Sequence, residues 1–300
     1  DGNGDKTLSV QFRDRYANVS SDYSATIQLD MVVPELVVAT SDSVLDSDNI
    51  NVVGTMEDGA TLAVTADNAT AVIGTISNPT PTTWDVPITG LPQGTTSVTF
   101  LLTDAAGNVA ISERQFTFDS VAPSGSVMIN YGASDTSSTA VTLSLSAEDA
   151  TSQVEKMQIR NSSGEASGWL DFVSSRSWDL LDQDGLQTVY VQFQDSAGNI
   201  SAEAEATINL DRSNPLFSID PVAEALTNKK NLLLTGTREA GAIISANLPG
   251  GSASVNPYPN ETSWEVSLVL AEGSNNITVT ASDSAGNSRS ASTSLGVATS

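Results

Sequence analysis

The 300-residue sequence contains no cysteine and no histidine. That excludes disulfide staples, thiol nucleophiles, imidazole acid–base chemistry and the usual zinc sites. Aromatic residues are scarce, at 5%, which leaves little material for a stacking platform. Basic residues number 12 against 36 acidic ones, a net charge of −24, and such a surface repels nucleic acid and anionic membranes. No run of eighteen apolar residues occurs, so no segment reads as a transmembrane helix, and no signal peptide is visible. What is present is an apolar fraction of 39%, enough for packed domains. Without disulfides, those domains must be held by packing or by ions. The surplus of carboxylates supplies hard oxygen donors of the kind calcium takes, although the same surplus also serves solubility alone.

Repetition organises the chain. Asp104-Ala105-Ala106-Gly107-Asn108 returns as Asp195-Ser196-Ala197-Gly198-Asn199 and as Asp283-Ser284-Ala285-Gly286-Asn287, in steps of 91 and 88 residues. A degraded copy, Asp14-Arg15-Tyr16-Ala17-Asn18, precedes the first by 90. A unit of about 90 residues repeated in tandem means an array. A second order lies above it. Residues 1–30 align without a gap on 182–211, with fourteen identities that include Val10/Val191, Phe12/Phe193, Ile27/Ile208 and Leu29/Leu210. Gly54-Thr55 recurs as Gly236-Thr237, and Trp84 as Trp264. Two kinds of domain therefore alternate. Residues 1–30 read as the terminal hairpin of a truncated domain, followed by domains at 31–120, 121–212 and 213–300; the chain reads as cut from a longer repetitive protein.

Within each unit the pattern is strand. Val141, Leu143, Leu145 and Ala147 alternate with polar residues, as do Val189, Val191 and Phe193, then Ala206, Ile208 and Leu210. Val98, Phe100 and Leu102 do the same, and Val109, Ile111, Phe116 and Phe118 are expected to line the same core. No helical period is sustained. About seven short strands per unit, punctuated by Gly, Asn and Pro, predict an all-β protein of tandem immunoglobulin-like antiparallel sandwiches arranged end to end, without the disulfide. Asp-x-x-Gly-Asn is then the hairpin between the last two strands. Its Asp caps a type I turn and its Gly supplies a positive φ. Ala17 in place of that glycine predicts an altered turn in the first copy. Trp84, Trp178 and Trp264 share a strand position and read as core, and Trp169 is the aromatic to watch for ligand contact.

Strand alternation fixes where the loops point. Each final hairpin should lie near the linker that enters its own domain. Those linkers are Asp30-Met31-Val32-Val33-Pro34, Asp119-Ser120-Val121-Ala122-Pro123 and Asp211-Arg212-Ser213-Asn214-Pro215, each stiffened by proline. Asp30 is expected to meet Asp104, Asp119 to meet Asp195, and Asp211 to meet Asp283. Asp149 joins the second joint. Asp182 and Asp184 join the third, as Asp1, Asn3 and Asp5 face the first. Adjacent carboxylates repel unless neutralised, so calcium at these joints is the expected ligand, against the simpler role of capping backbone N–H groups.

On the three Asp-x-x-Gly-Asn hairpins, the linker Asp119-Ser120-Val121-Ala122-Pro123, the Gly54-Thr55…Trp84 and Gly236-Thr237…Trp264 stretches and Ile129-Asn130-Tyr131-Gly132-Ala133, the chain resembles the bacterial immunoglobulin-like (Big-type) tandem repeats of large surface adhesins and biofilm-associated proteins. The resemblance covers nearly the whole chain. It implies a non-catalytic stalk segment of a secreted or surface-anchored adhesin, often stiffened by calcium at its joints. The implied setting is a monomeric strand at the bacterial cell surface, with neighbouring repeats as partners and an adhesion target on a host, abiotic or other-cell surface. A glycan- or protein-binding module accessory to a larger secreted protein or enzyme is the alternative. Other motifs fall away. Asp1-Gly2-Asn3-Gly4-Asp5 begins like an EF-hand loop but lacks its later Gly and Glu. Leu91-Pro92-Gln93-Gly94-Thr95 is similar to a sortase signal with Gly and Thr reversed, and reads as the turn before a strand.

Overall fold

The structure, a computed structural model, describes residues 2–222 and 226–298. Their regular structure is strand, apart from one short 3-10 turn at Asn130–Gly132. Residues 36–118 build two sheets. One runs in the order Leu36–Val38, Ile50–Met56, Thr83–Thr89, Val72–Ile73; the other runs Ser43–Leu45, Val109–Phe118, Gly94–Thr103, Thr61–Ala66. The alternating side chains meet between them. Val52, Val86 and Ile88 from one sheet pack in one core with Val98, Phe100, Leu102 and Phe116 from the other. The same layout recurs at 217–297, with Leu234, Val266 and Leu268 in one cluster with Ile277, Val279 and Leu295. Residues 124–210 form a three-stranded and a five-stranded sheet, with Leu143, Met157, Ile159, Val189 and Val191 buried. The fold is thus all-β and made of tandem immunoglobulin-like sandwiches.

Each sandwich also contains one parallel pair. Ser43–Leu45 lies parallel to Val109–Phe118, Asp135–Thr136 to Ala204–Leu210, and Leu226–Thr227 to Ser288–Val297. The first strand of each domain breaks and its second piece crosses to the other sheet, a switch too short to leave a period in sequence. Val109 and Ile111 depart from expectation as well. They stand on the outer face, opposite Thr103 and Leu101, and Ile111 is 67% exposed. Ile111 and Phe116 are five residues apart, an odd spacing, so they cannot share a face of a regular strand.

The hairpin of Gly4–Val10 and Tyr23–Leu29 leaves Val10, Phe12, Ile27 and Leu29 exposed, whereas their counterparts Val191, Phe193, Ile208 and Leu210 are buried. Its turn is not altered by Ala17. Ala17 takes a φ of 71°, and Asp14 still accepts the Tyr16 and Asn18 N–H groups and the Asn18 amide. Three bonds to one carboxylate outweigh a left-handed alanine, which costs roughly 1–2 kcal/mol.

By contact the chain divides into two compact units. One holds the residues up to Ser124 together with the loops Glu148–Glu155 and Phe193–Ser201; the other holds Gly125–Ala147, Lys156–Gln192 and the residues from Ala202 onward.

Trp84 and Trp264 are buried as expected, each lying over a glycine opposite it on the neighbouring strand, Gly54 and Gly236. Trp178 is only half-buried, with its Nε1 donating to Asn161 Oδ1 at 2.8 Å. A Cβ at Gly236 would collide with the Ser218 carbonyl oxygen and the Trp264 ring. Neither can retreat, because Trp264 Nε1 donates to the Ser218 and Thr237 carbonyls, both at 3.1 Å. Gly236→Ala should therefore cost ~3 kcal/mol or more in urea unfolding followed by tryptophan fluorescence. Gly241→Ala, where φ is +86° but nothing lies within 4 Å of the new methyl, should cost about 1 kcal/mol.

Candidate functional site

Each repeated motif folds as the sequence implies. Asp104 Oδ1 accepts the Ala106 and Asn108 N–H groups, both at 2.8 Å, and its Oδ2 accepts the Asn108 side-chain amide at 2.8 Å. Those bonds from Asn108, set against slight burial, hold the Asp104 carboxyl below the ordinary carboxylate value. Asp195 and Asp283 bind Asn199 and Asn287 in the same way. The linker aspartates also cap backbone. Asp30, Asp119 and Asp211 accept the N–H groups of Val32, Val121 and Ser213, two residues on, at 3.0, 3.0 and 2.9 Å.

The asparagine of the motif does more than close its own turn. Asn108 Nδ2 donates to the Asp30 carbonyl at 3.3 Å, Asn199 Nδ2 to the Asp119 carbonyl at 2.9 Å, and Asn287 Nδ2 to the Asp211 carbonyl at 2.8 Å. A hairpin at the end of a domain thus clasps the linker at its start. An amide from the preceding turn adds a second clasp at two joints. Asn3 Oδ1 accepts the Met31 N–H at 2.9 Å while its Nδ2 donates to Asp30 Oδ1 at 3.2 Å. Gln93 Oε1 accepts the Ser120 N–H at 3.2 Å while its Nε2 donates to Asp119 Oδ1 at 2.7 Å.

Around Asp119 the acids converge. Asp119 lies on the linker, Asp149 in the loop after Ala140–Glu148, and Asp195 at the end of Gly185–Asp195. Carboxylate oxygens of the three lie within 4.8 Å of one another, the sole such acidic group among the described residues. Asp119 and Asp195 are buried. Asp149 Oδ1 is turned by the N–H groups of Thr151 and Ser152 at 2.8 and 3.0 Å. Gln93 Nε2 also reaches Thr151 Oγ1 at 3.1 Å, which fixes the same loop. Two buried oxygens here make no hydrogen bond, Asp119 Oδ2 and Ser152 Oγ. Burial pushes the Asp119 carboxyl up. Against that, the Val121 N–H and the Gln93 amide donate to its Oδ1, and the carboxyl is held below its ordinary value. Three carboxylates this close concentrate negative charge. Two unit charges 4.8 Å apart repel by about 3 kcal/mol at an effective dielectric of about 20.

The other proposed ligands are placed differently. Asp30 and Asp104 line an open cleft of about 300 Å³ with Glu57 and Asp58, and join no close acidic group. Asp182 and Asp184 are both paired with Arg212, whose Nη1 and Nε reach them at 2.5 and 2.6 Å. Asp211 and Asp283 bond to backbone and to Asn287. Asp1 lies outside the described residues.

Residues 215–298 match the family model described as glucodextranase, domain B, which covers less than a third of the chain. No curated protein matches it. Three solved structures are among those it is similar to. The Escherichia coli adhesin FdeC is 14% identical, with 90% of this chain and 100% of that chain covered and a TM-score of 0.48. A tetra-tandem repeat from the extending region of a large adhesion protein is 20% identical, over 98% of this chain and 82% of that one, with a TM-score of 0.33. A 1.5-MDa bacterial ice-binding adhesin is 17% identical, over 89% and 99%, with a TM-score of 0.38. Similarity at this level does not fix function. No helix of the described residues is long and apolar enough to cross a membrane, a statement that does not extend to strands.

Sequence reasoning found the aspartates and missed their keepers. Asn108, Asn199 and Asn287 read as turn residues, Gln93 as a turn and Arg212 as linker. The signal available was the recurrence of Asn at the fifth motif position, which a turn alone does not demand. Asn199→Ala and Asn287→Ala should each lower the free energy of local opening at the adjoining linker by about 1 kcal/mol. Asn18→Ala, whose amide among the described residues bonds Asp14, should leave exchange at all three linkers unchanged. Amide hydrogen exchange at 119–123, 211–215 and 30–34 reads these three outcomes.

Proposed function

We propose that the chain is a non-catalytic spacer segment of a bacterial surface adhesin, and that calcium held by Asp119, Asp149 and Asp195 fixes one of its joints. The observation that carries the metal reading is the buried, unpartnered Asp119 Oδ2, set among two further carboxylates. A buried carboxylate oxygen without a donor is costly, and a divalent cation removes the cost and the mutual repulsion together. The three carboxylates, with Ser152 Oγ as a second unpartnered oxygen, offer hard oxygen donors of the kind calcium takes. The loops that carry Asp149 and Asp195 belong to the same compact unit as Asp119, so an ion here ties a linker to the domain that follows it. Every aspartate of the site sits in a turn or linker of a repeated unit, which supports architecture over catalysis. The same reading places the chain outside the cell, in a stalk whose target is bound elsewhere.

An accessory module of a larger secreted enzyme is the second reading, favoured by the match of residues 215–298 to glucodextranase domain B. Within those residues Trp264 is fully buried and offers no stacking face. A glycan array probed with the whole chain separates the two; specific binding would remove the pure spacer.

Calcium titrated into the metal-free chain should bind with measurable heat, and Asp119→Asn should abolish that binding. At free calcium a hundredfold above the dissociation constant the ion should stabilise the site by ~2.7 kcal/mol, seen as a rise in melting temperature. Absence of both heat and thermal shift at millimolar calcium would sink the metal reading and leave the spacer to be tested by scattering.

A further inference from the structure

The three joints share one problem and solve it differently. At the first two, a neutral amide from the preceding turn reads the linker: Asn3 and Gln93 each accept the N–H after the linker aspartate and donate to its Oδ1. At the third, the residue aligned with Asn3 is Asp184, which has no N–H to give. A carboxylate in that place would add its charge to the neighbouring acids, Asp182 on its own turn and Asp211 on the linker. The residue after the linker aspartate is here Arg212, where the other joints have Met31 and Ser120. Its guanidinium reaches Asp184 through Nε at 2.6 Å and Asp182 through Nη1 at 2.5 Å. The loop at the same pole of the last domain offers Glu239, but its Oε2 is occupied by the Leu216 N–H at 2.9 Å. Among the described residues no three acids converge here as they do around Asp119.

We infer that Arg212 is the built-in counter-ion of the 211–215 joint, doing with a side chain what a divalent cation does at Asp119, so that this joint holds without metal. The contrast rests on the calcium reading above; the role of Arg212 does not. A planar fork suits this place, since it meets two carboxylates at once, whereas a lysine ammonium is a single point charge. The pairs are exposed enough for salt to screen them, with side-chain exposures of 41%, 84% and 44% for Arg212, Asp182 and Asp184.

The test is hydrogen exchange on the full chain, comparing the segment around Ser213, whose N–H is bonded to Asp211 Oδ1, with that around Val121, whose N–H is bonded to Asp119 Oδ1. Chelator should leave exchange near Ser213 unchanged. Arg212→Gln should accelerate it about fivefold, the scale of two exposed ion pairs acting together. Sodium chloride at about 1 M should reproduce part of that rise in the unmodified chain. Arg212→Lys should fall between the two. Should Arg212→Gln disturb the core strands as well, the Asp182→Ala/Asp184→Ala pair removes the same bridges from the other side without installing an amide like that of Asn3, and should give the same local acceleration. Chelator speeding exchange near Ser213, or both sets of variants leaving it unchanged, would overturn the inference. Chelator without effect near Val121 would overturn the calcium reading while leaving Arg212 in its role.

Discussion

One hydrogen bond recurs wherever a linker meets the domain it leads into: an asparagine amide, 76 to 80 residues further on, donates to the carbonyl of the linker aspartate. A peptide carbonyl in a turn has few alternatives when a loop folds over it, and leaving it bare is costly. The bond sets where the final hairpin sits, and the hairpin sets where its aspartate sits. Only then does the position of Asp149 against Asp119 and Asp195 have chemical meaning. The acids of this chain are thus arranged by amides, and their charge is a consequence that each joint must manage.

The joints manage it in distinct ways. Asn3 and Gln93 offer neutral donors. The Asp119 site gathers three carboxylates and leaves an oxygen bare. The 211–215 joint brings its own guanidinium. The domains themselves are more uniform. Phe100 and Leu102, like Val279 and Ala281, are buried two residues apart, and Trp84 and Trp264 lie against equivalent glycines. Variation concentrates where cores do not constrain it, in residues at the linkers and the turns beside them.

Much of this was legible in the sequence. Alternation at 98–102 and 189–193 marked the buried faces, and the hairpin motif marked the turns. The parallel pairs were not legible, because two- and three-residue strands carry no period. Ile111 was misplaced because an odd interval was read as one face. Ala17 was read as a broken turn because a backbone cost was weighed without the three bonds that offset it. At the site, carboxylates were visible as a class, but their neutralisers were not. Arg212 is one basic residue in a linker, and which acids it meets is decided by the turn at 182–185, some thirty residues upstream.

The separation of the clasping asparagine from its carbonyl also has a temporal meaning. A chain made from its N-terminus presents Asp119 long before Asn199 exists, and the last hairpin of the following domain closes only once that domain's sheets have formed. Each linker is therefore held from one side only, by the turn before it, while the next domain is being completed, and gains its second hold when that domain's final turn forms. The array sets like a row of buckles, each fastened by the piece that comes after it.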